Sequence, residues 1–436
     1  MENFIQQAAS VKPSQRQLDW FDMEMYLFCH FGVNTFTDSE WGNGNEPEEV
    51  FAPTKLDCEQ WAQTAKMGGF KGIIITAKHH DGFCLWPSPY TEHSVKNSPC
   101  KVNVVRCVAD ACRKYGLKFG FYLSPWDRNS KYYGTPEYND YFCNQLTELL
   151  TEYGDVFCVW FDNACGEGPN GKKQVYDFDR YIKLVRKYQP NAVIFNDYGP
   201  DTRWVGNEAG TSRTAEWSVV PVELCKYAEV QTQASPEADR ENLKGIYNTD
   251  DDIGSRDVIR YSSGLTFVPS EVDTVITKTG WFWHDTSELR SVEELFDIYV
   301  ASVGTNACLN LNIPPNKEGR FADPYVERVR EFREYLDKQF SCSAGVVNAV
   351  DGYTFGIDVD EGKCLKYVVL AEDIALGQRV ESFVITDADG NTVYDGTCIG
   401  HKKICVIPSE KQSCGKYTLT VTSSRGEPLI KFVEIY

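Results

Sequence analysis

The chain has 436 residues, of which 42% are hydrophobic, and its formal net charge is −19. This length is typical of one large domain joined to a smaller one, and the hydrophobic content excludes a mainly disordered chain. The negative charge repels nucleic-acid phosphates and anionic lipids, and no apolar run reaches about 18 residues, so we expect neither nucleic acid nor a membrane as a partner.

The N-terminal residues and the cysteines indicate in which cellular compartment the protein is expected. Residues 1–19 are polar and lack the apolar stretch of a secretory signal peptide. The 16 cysteines include no CxxC pair, and Cys29, Cys158 and Cys405 lie inside apolar, strand-like runs. Such cysteines are typical of small buried thiols rather than of a disulfide framework. We therefore expect a cytoplasmic protein, unless a leader has been removed.

From about residue 20 to residue 340, apolar strand-like runs alternate with amphipathic helices. The predicted strands are residues 25–31, 72–76, 118–123, 156–161 and 192–195, followed by three less distinct ones at 203–205, 272–276 and 308–311. The predicted helices are residues 57–67, 102–115, 138–153 and 176–188. This alternation predicts βα units, and eight of them close a (β/α)8 barrel. A doubly wound open sheet is the alternative, but no Gly-rich phosphate-binding fingerprint follows any strand.

The pattern changes after about residue 340. Short β runs at 367–370, 382–385, 392–394, 404–407 and 417–421 are separated by turn signals such as Asp389-Gly390-Asn391. This predicts a barrel domain at residues 1–340 and a C-terminal β-sandwich at residues 341–436. All ten tryptophans precede residue 284, so the sandwich lacks the aromatic platform of a sugar-binding module, and we expect it to brace the barrel.

Functional residues of a (β/α)8 barrel lie at the C-terminal ends of its strands. Three of the six histidines lie at or just past the C-terminal ends of predicted strands, as do Tyr122 and Trp160; they are His30, His79 and His80. A metal site is one interpretation, but adjacent residues of a strand point to opposite faces, which disfavours a simple two-histidine metal site. The set instead predicts a carbohydrate pocket, in which aromatic faces cover sugar C–H groups and polar side chains bind hydroxyls.

Cleavage of a glycoside needs two carboxyl groups, one to attack the anomeric carbon and one to protonate the leaving oxygen. Asp162 directly follows an apolar strand, which aims its side chain into the barrel mouth, although an Asp there also suits a helix N-cap. Glu208 lies in a Gly- and Asn-rich loop after a later strand. Periodicity alone does not distinguish it from the other candidates, which are Glu167, Asp197, Glu216 and Glu271.

Four segments together resemble the α-L-fucosidases of glycoside hydrolase family 29. They are HFG at residues 30–32, KHHDGF at 78–83, WFD at 160–162 and LNIPP at 311–315, and they occur in the family's order. The resemblance extends over about residues 14–340. It implies a (β/α)8-like barrel followed by a β-sandwich, a retaining mechanism, and neither a metal nor another cofactor.

The resemblance also implies roles for individual residues. Asp162, the Asp of WFD, is the expected nucleophile. The string RWVGNEAG at residues 203–210 is similar to the acid/base loop of a branch that prefers α-1,3- or α-1,4-linked fucose on branched, Lewis-type glycans, which makes Glu208 the expected acid/base. The expected fucose pocket consists of His30, Glu40, Trp41, His79, His80, Tyr122, Trp160 and Trp281. Asn163 departs from the family pattern, where glycine follows the nucleophile, and we expect it to influence the leaving-group preference.

The expected partner is therefore a fucosylated oligosaccharide. Two alternatives stay open at this point, namely a retaining glycosidase for another sugar, such as α-galactose, and a sugar-binding protein that has lost catalysis. The presence of both Asp162 and Glu208 disfavours the second alternative. The sequence carries no signal for an oligomeric state.

Overall fold

A computed structural model describes residues 3–225 and 246–436, and a barrel forms the larger part of it. The strands of this part are β1 (Met25–Cys29), β2 (Gly72–Lys78), β3 (Lys118–Leu123), β4 (Cys158–Trp160), β5 (Val193–Phe195), β6 (Arg203–Trp204), β7 (Val219–Pro221), β8 (Leu265–Phe267), β9 (Ser270–Val275) and β10 (Cys308–Asn312). Eight of them form one parallel sheet in the order β5-β4-β3-β2-β1-β10-β9-β6, whereas β7 and β8 pair as a separate antiparallel hairpin. A bridge between Phe195 and Thr202 joins β5 to the start of β6, so the barrel is nearly closed. The predicted (β/α)8-like barrel is confirmed.

Most of the helices pack against the outer face of the barrel strands. The helices are α1 (Asn3–Ser10), α2 (Gln15–Phe21), α3 (Val33–Thr37), α4 (Cys58–Met67), α5 (Val104–Tyr115), α6 (Glu137–Glu152), α7 (Phe178–Tyr188), α8 (Arg256–Ile259), α9 (Val292–Ser302) and α10 (Asp323–Gln339). The four predicted helices correspond to α4 to α7 within two residues at each end. Caps explain the sharp starts of α4 and α5, because Asp57 and Asn103 accept hydrogen bonds from the first turns.

The first strand is shorter than predicted. The sequence pattern extends to Phe31, but β1 ends at Cys29. The next two backbone N–H groups donate to side chains instead of a neighbouring strand, since His30 N bonds Asn312 Oδ1 and Phe31 N bonds Thr76 Oγ1. The chain therefore leaves the sheet at His30, at the mouth of the barrel.

Successive residues of a strand point to opposite faces of the sheet, so the barrel strands contribute side chains to an outer and an inner apolar layer. Leu27, Ile73 and Ile75 belong to the outer core cluster, which also contains buried residues of α4, α5 and α6. The inner layer fills the barrel with large side chains, including those of Tyr26 and Phe28. Since β2 is buried along its whole length, it requires the continuous apolar run that the sequence shows.

The C-terminal part is a sandwich of two antiparallel sheets. Its strands are β11 (Gly345–Ala349), β12 (Thr354–Val359), β13 (Tyr367–Glu372), β14 (Val380–Asp387), β15 (Thr392–Gly396), β16 (Lys403–Val406), β17 (Gly415–Ser424) and β18 (Ile430–Ile435). The sheets have the orders β11-β12-β17-β14-β15 and β16-β13-β18. The predicted sandwich is confirmed. Its strands β11, β12 and β18 were not predicted; β11 and β18 are largely exposed or half-buried and lack a clear apolar alternation.

The sandwich contacts the barrel through specific side chains. The ring of His401 stacks on Phe21 at 4.8 Å, and the Arg425 guanidinium lies 3.6 Å from the centre of the Trp217 ring. Ile404 belongs to the outer core of the barrel. In the described ranges, no helix has the length and apolarity to cross a membrane.

Candidate active site

Three histidine rings lie side by side where β1 and β2 end. The His79 ring is 5.6 Å from the His30 ring and 4.2 Å from the His80 ring. Burial lowers the pKa of His30 to about 3, that of His80 to about 4, and that of His79 well below its usual value. All three imidazoles are therefore neutral near pH 7. Each neutral imidazole has one donor and one acceptor nitrogen, which suits the binding of hydroxyl groups.

The two carboxylate oxygens of Asp162 have different partners. Oδ1 accepts a hydrogen bond from the Ala164 backbone N–H at 2.7 Å. Oδ2 accepts one from the Tyr122 hydroxyl at 3.0 Å and lies 3.7 Å from His80 Nε2. The helix-cap interpretation is wrong, because the next helix begins at Phe178 and Asp177 caps it. The Asp162 side chain is 25% exposed, so it can be reached from the barrel mouth.

Glu208 lies on the loop that follows β6. The Thr274 hydroxyl of β9 donates to its backbone carbonyl at 2.9 Å, and the Trp281 indole N–H donates to its carboxylate at 3.4 Å. The side chain is exposed at the rim, but the protein atoms around its carboxyl group still raise its pKa by partial burial. The negative charges of Asp162 and Glu40 raise this pKa further. The Trp281 bond opposes them because it favours the charged form.

Glu40 holds the loop that carries Trp281. Its carboxylate accepts hydrogen bonds from the backbone N–H groups of Trp281 at 2.8 Å and Phe282 at 3.4 Å. The Asn312 side chain also bonds this loop, since Nδ2 donates to the Trp281 carbonyl at 2.7 Å, while Oδ1 contacts His30 Nδ1 at 2.8 Å. Asn312 therefore connects the histidine group to the loop that contacts Glu208.

Aromatic rings form the walls of the site. The Trp160 ring lies 5.2 Å from Tyr122, and the Trp41 ring lies 6.0 Å from His80 and 5.7 Å from Trp126. Trp41 is 48% exposed at the rim. The structure thus brings every residue of the sequence-predicted site into one connected cluster: His30, Glu40, Trp41, His79, His80, Tyr122, Trp160, Asp162, Glu208 and Trp281.

Two of the other candidate carboxylates have their oxygens occupied. Glu216 is fully buried and forms ion pairs with Arg203 and Arg213. Glu271 is enclosed inside the barrel, where it accepts hydrogen bonds from Tyr26, Trp160 and Asn310. Both positions are typical of structural carboxylates.

Three residues of the site were given no role from the sequence, although one of them, Asn312, lies in the LNIPP segment. Ser124 bonds His80, Asn312 bonds His30, and Asp273 accepts the Trp204 indole N–H at 2.8 Å. Burial and the nearby charges of Glu271 and Glu208 raise the pKa of Asp273 well above its usual value. A period-two pattern signals Asp273, since it faces the same way as Glu271 on β9.

In residues 3–225 and 246–436, no three side chains of His, Cys, Asp or Glu are grouped so that they could hold a metal ion.

The sequence model of the α-L-fucosidase family matches residues 4–340, which contain the whole cluster. The chain belongs to the α-L-fucosidase family. Alpha-L-fucosidase 1 of Arabidopsis thaliana is 35% identical over 97% of this chain and 87% of its own length. The putative α-L-fucosidase 1 of Oryza sativa is 37% identical over 97% of this chain and 84% of its own length.

Solved α-L-fucosidase structures share the fold. A putative α-L-fucosidase from Bacteroides ovatus superposes with a TM-score of 0.89 and 41% identity, covering 99% of this chain and 75% of that protein. A family 29 fucosidase from Ruminococcus gnavus in complex with fucose has a TM-score of 0.81 and 27% identity, covering 98% of this chain and 95% of its own. The predicted membership of glycoside hydrolase family 29 is confirmed.

Proposed function

We propose that this α-L-fucosidase is a retaining exo-enzyme with Asp162 as the nucleophile and Glu208 as the acid/base. The observation that carries this assignment is the contrast between two neighbouring carboxyl groups. Asp162 accepts two hydrogen bonds, as a carboxylate does, whereas burial and negative neighbours raise the pKa of Glu208. In retaining glycosidases, different environments of the two carboxyl groups distinguish the nucleophile from the general acid in this way.

The reaction then follows in two displacements. Asp162 attacks the anomeric carbon of fucose while the glycosidic bond breaks and Glu208 gives its proton to the leaving oxygen. Glu208, now a carboxylate, takes a proton from water, and the water oxygen displaces Asp162 from the sugar. Two inversions retain the anomeric configuration. In a sugar-bound state we expect the two carboxyl groups to lie about 5–5.5 Å apart.

The rest of the cluster supports binding of a neutral sugar. Three neutral histidines and the Tyr122 hydroxyl offer hydrogen bonds, and the tryptophan rings offer flat apolar faces. A site that pairs its buried polar groups with the hydroxyls of one sugar discriminates against sugars whose hydroxyls point elsewhere. The Ruminococcus gnavus relative was solved with fucose, which supports fucose as the sugar in this pocket.

We infer further that the enzyme prefers α-1,3- and α-1,4-linked fucose on branched glycans. The inference rests on the similarity of residues 203–210 to the acid/base loop of one family branch. Contacts to a second branch sugar add binding energy that is used in the transition state. The exposed Trp41 ring at the rim is suited to such a contact. Asn163 is buried beside the nucleophile, and its influence on the leaving group stays a prediction.

The test is a set of kcat/KM values for Lewis-type trisaccharides, an α-1,2-fucosyl lactose, a nitrophenyl fucoside and a nitrophenyl α-galactoside. We expect the Lewis-type substrates to exceed the α-1,2 substrate and the aryl fucoside by roughly tenfold to a hundredfold, the worth of one or two well-placed hydroxyl contacts. Equal rates on all fucosides would refute the linkage preference but not the fucosidase assignment. Faster hydrolysis of the galactoside would refute the sugar assignment.

A further inference from the structure

His80 is held by a hydroxyl group that lies behind it. Its Nδ1 atom is 2.7 Å from the Oγ atom of Ser124, and the same Oγ donates to the Trp126 carbonyl at 2.7 Å. Ser124 directly follows β3, is fully buried, and is anchored by its own backbone N–H, which donates to the Lys78 carbonyl at 3.0 Å. The hydroxyl therefore has a fixed place in the structure.

The number of protons determines the direction of these bonds. A hydroxyl group has one proton, and a carbonyl oxygen can only accept. Ser124 therefore donates to Trp126, and its oxygen must accept from His80, so Nδ1 of His80 carries the proton. The nearby Tyr122 hydroxyl uses its own proton for a hydrogen bond to Asp162.

The other nitrogen of His80 then has a free lone pair. Burial lowers the pKa of His80 to about 4, and Arg128 and Lys78 act in the same direction while Asp162 opposes them, so the ring is neutral near pH 7. Its Nε2 atom lies 3.7 Å from Oδ2 of Asp162. Two acceptors face each other across this gap, and a sugar hydroxyl that enters the site supplies a proton for one of them.

We propose that Ser124 is a positioning residue that holds His80 as the Nδ1–H tautomer, so that Nε2 accepts a hydrogen bond from a substrate hydroxyl. In the opposite tautomer, the Nε2–H group would donate to Asp162 after a small movement. That bond would stabilise the negative charge of Asp162 and occupy the place of the sugar hydroxyl. Ser124 thus keeps the carboxylate available, a consequence that rests on the proposed role of Asp162.

His30 shows the same arrangement with a different partner. The Asn312 amide donates from Nδ2 to the Trp281 carbonyl, so its Oδ1 atom is the acceptor for His30 Nδ1. Burial keeps His30 neutral as well. In two of the three clustered histidines, a side chain from another strand end thereby specifies which ring nitrogen carries the proton, as is also found for histidines that bind metals.

The tautomer is measured directly by NMR on enzyme labelled with ¹⁵N-histidine. The chain has only six histidines, and the spectrum of a His80→Gln variant assigns the His80 signals by their loss. At neutral pH, we expect a protonated Nδ1 and an unprotonated Nε2 for His80 in the unchanged enzyme. Any other pattern overturns the proposal, and this measurement depends neither on turnover nor on the folding of a Ser124 variant.

The Ser124→Ala variant removes the acceptor for Nδ1–H. We expect the proton of His80 to move to Nε2 in part or completely, and kcat/KM on the best fucoside to fall by roughly tenfold to a hundredfold. Ser124→Thr keeps the hydroxyl. It should therefore keep the Nδ1–H tautomer and most of the activity that Ser124→Ala loses. An unchanged tautomer in Ser124→Ala, or equal losses in the Ala and Thr variants, overturns the proposal.

Ser302→Ala is the matched control. Ser302 is also fully buried and its hydroxyl also donates to a backbone carbonyl, that of Ile298 at 2.6 Å, but it lies in α9 and contacts no histidine. We expect this variant to change neither the His80 signals nor kcat/KM. If the unchanged enzyme has the expected tautomer but hydrolyses no fucoside, the proposed function fails while the assignment of Ser124 stands.

Discussion

At the scale of single residues, the carboxyl of Glu208 is subject to opposing influences. Burial raises its pKa, the charges of Asp162 and Glu40 raise it further, and the hydrogen bond from Trp281 lowers it. A general acid acts only while it is protonated, so kcat/KM should fall as the pH rises through the pKa of Glu208. The neighbours of Glu208 therefore determine the position of the basic limb of the pH profile.

Two variants should move this limb in opposite directions. Glu40→Gln removes a negative charge, so the pKa of Glu208 falls and the basic limb moves to lower pH. Trp281→Phe removes a donor to the carboxylate, so the pKa rises and the limb moves to higher pH. The measurement is kcat/KM against pH for both variants. The control is Glu288→Gln, which removes an exposed carboxylate from the loop that carries Trp281. Shifts in the same direction would contradict the assignment of Glu208.

The second residue-scale prediction concerns Asp162. We expect Asp162→Ala to fold normally but to lose turnover by roughly 10³-fold or more, because the covalent intermediate cannot form. Sodium azide should restore part of the rate by occupying the space of the lost carboxylate, and the product should be fucosyl azide of inverted configuration. Asp179→Ala, which removes an exposed carboxylate from α7, is the control. Turnover like that of the unchanged enzyme in Asp162→Ala would rule out its role as nucleophile.

At the scale of elements, the loop that carries Glu208 is anchored by a buried ion-pair network. Arg203 in β6 and Arg213 in the loop both pair with Glu216, which lies just before β7. Arg213 also donates to the carbonyls of Asn248 and Asp250. Since Arg203 and Glu216 are both fully buried, removal of one leaves an uncompensated charge in the protein interior.

We therefore expect Glu216→Ala to lower the free energy of unfolding by about 3–5 kcal/mol. It should also lower kcat/KM, because the Glu208 loop loses its anchor. Urea unfolding and fucoside hydrolysis measure the two effects. The matched control is Glu318→Ala, which breaks an exposed pair with Lys55 and should cost less than about 0.5 kcal/mol. Equal unfolding midpoints for the two variants would show that the network does not anchor the loop.

At the scale of the whole molecule, the sandwich is packed against the same side of the barrel that supports the Glu208 loop. Arg425 of the sandwich is fully buried, stacks on Trp217, pairs with Glu381 and donates to the Gly254 carbonyl. Trp217 directly follows Glu216 in the chain. The sandwich therefore braces the barrel next to the network that anchors the acid/base loop.

For this reason we expect Arg425→Ala to destabilise the protein by about 1–3 kcal/mol, through the loss of the stacked cation and its hydrogen bonds. The activity of the folded fraction should change little, because Arg425 contacts no residue of the pocket cluster in the structure. Thermal unfolding of the intact enzyme measures the effect, with Lys363→Ala, an exposed sandwich residue, as the control. An unchanged midpoint of thermal unfolding would indicate that this contact between the sandwich and the barrel does not stabilise the protein.

The sequence by itself predicted the eight strands of the barrel sheet, four of the helices around it and most of the residues at the barrel mouth. Runs and periods are local signals, so α4 to α7 and the strand ends that carry His79 and Asp162 could be predicted from neighbouring residues alone. In the sandwich, β11, β12 and β18 were not predicted, and in β11 and β18 partial exposure weakens the apolar alternation.

Only the tertiary structure decided which polar groups meet. It separated Glu208 at the mouth from Glu216 and Glu271, whose partners occupy their carboxylates. It also paired His30 with Asn312, 282 residues away, and His80 with Ser124, 44 residues away. A hydrogen bond depends on distance and direction in space, and these exist only after the strands close into a barrel, so no pattern along the chain specifies the protonated nitrogen of a histidine.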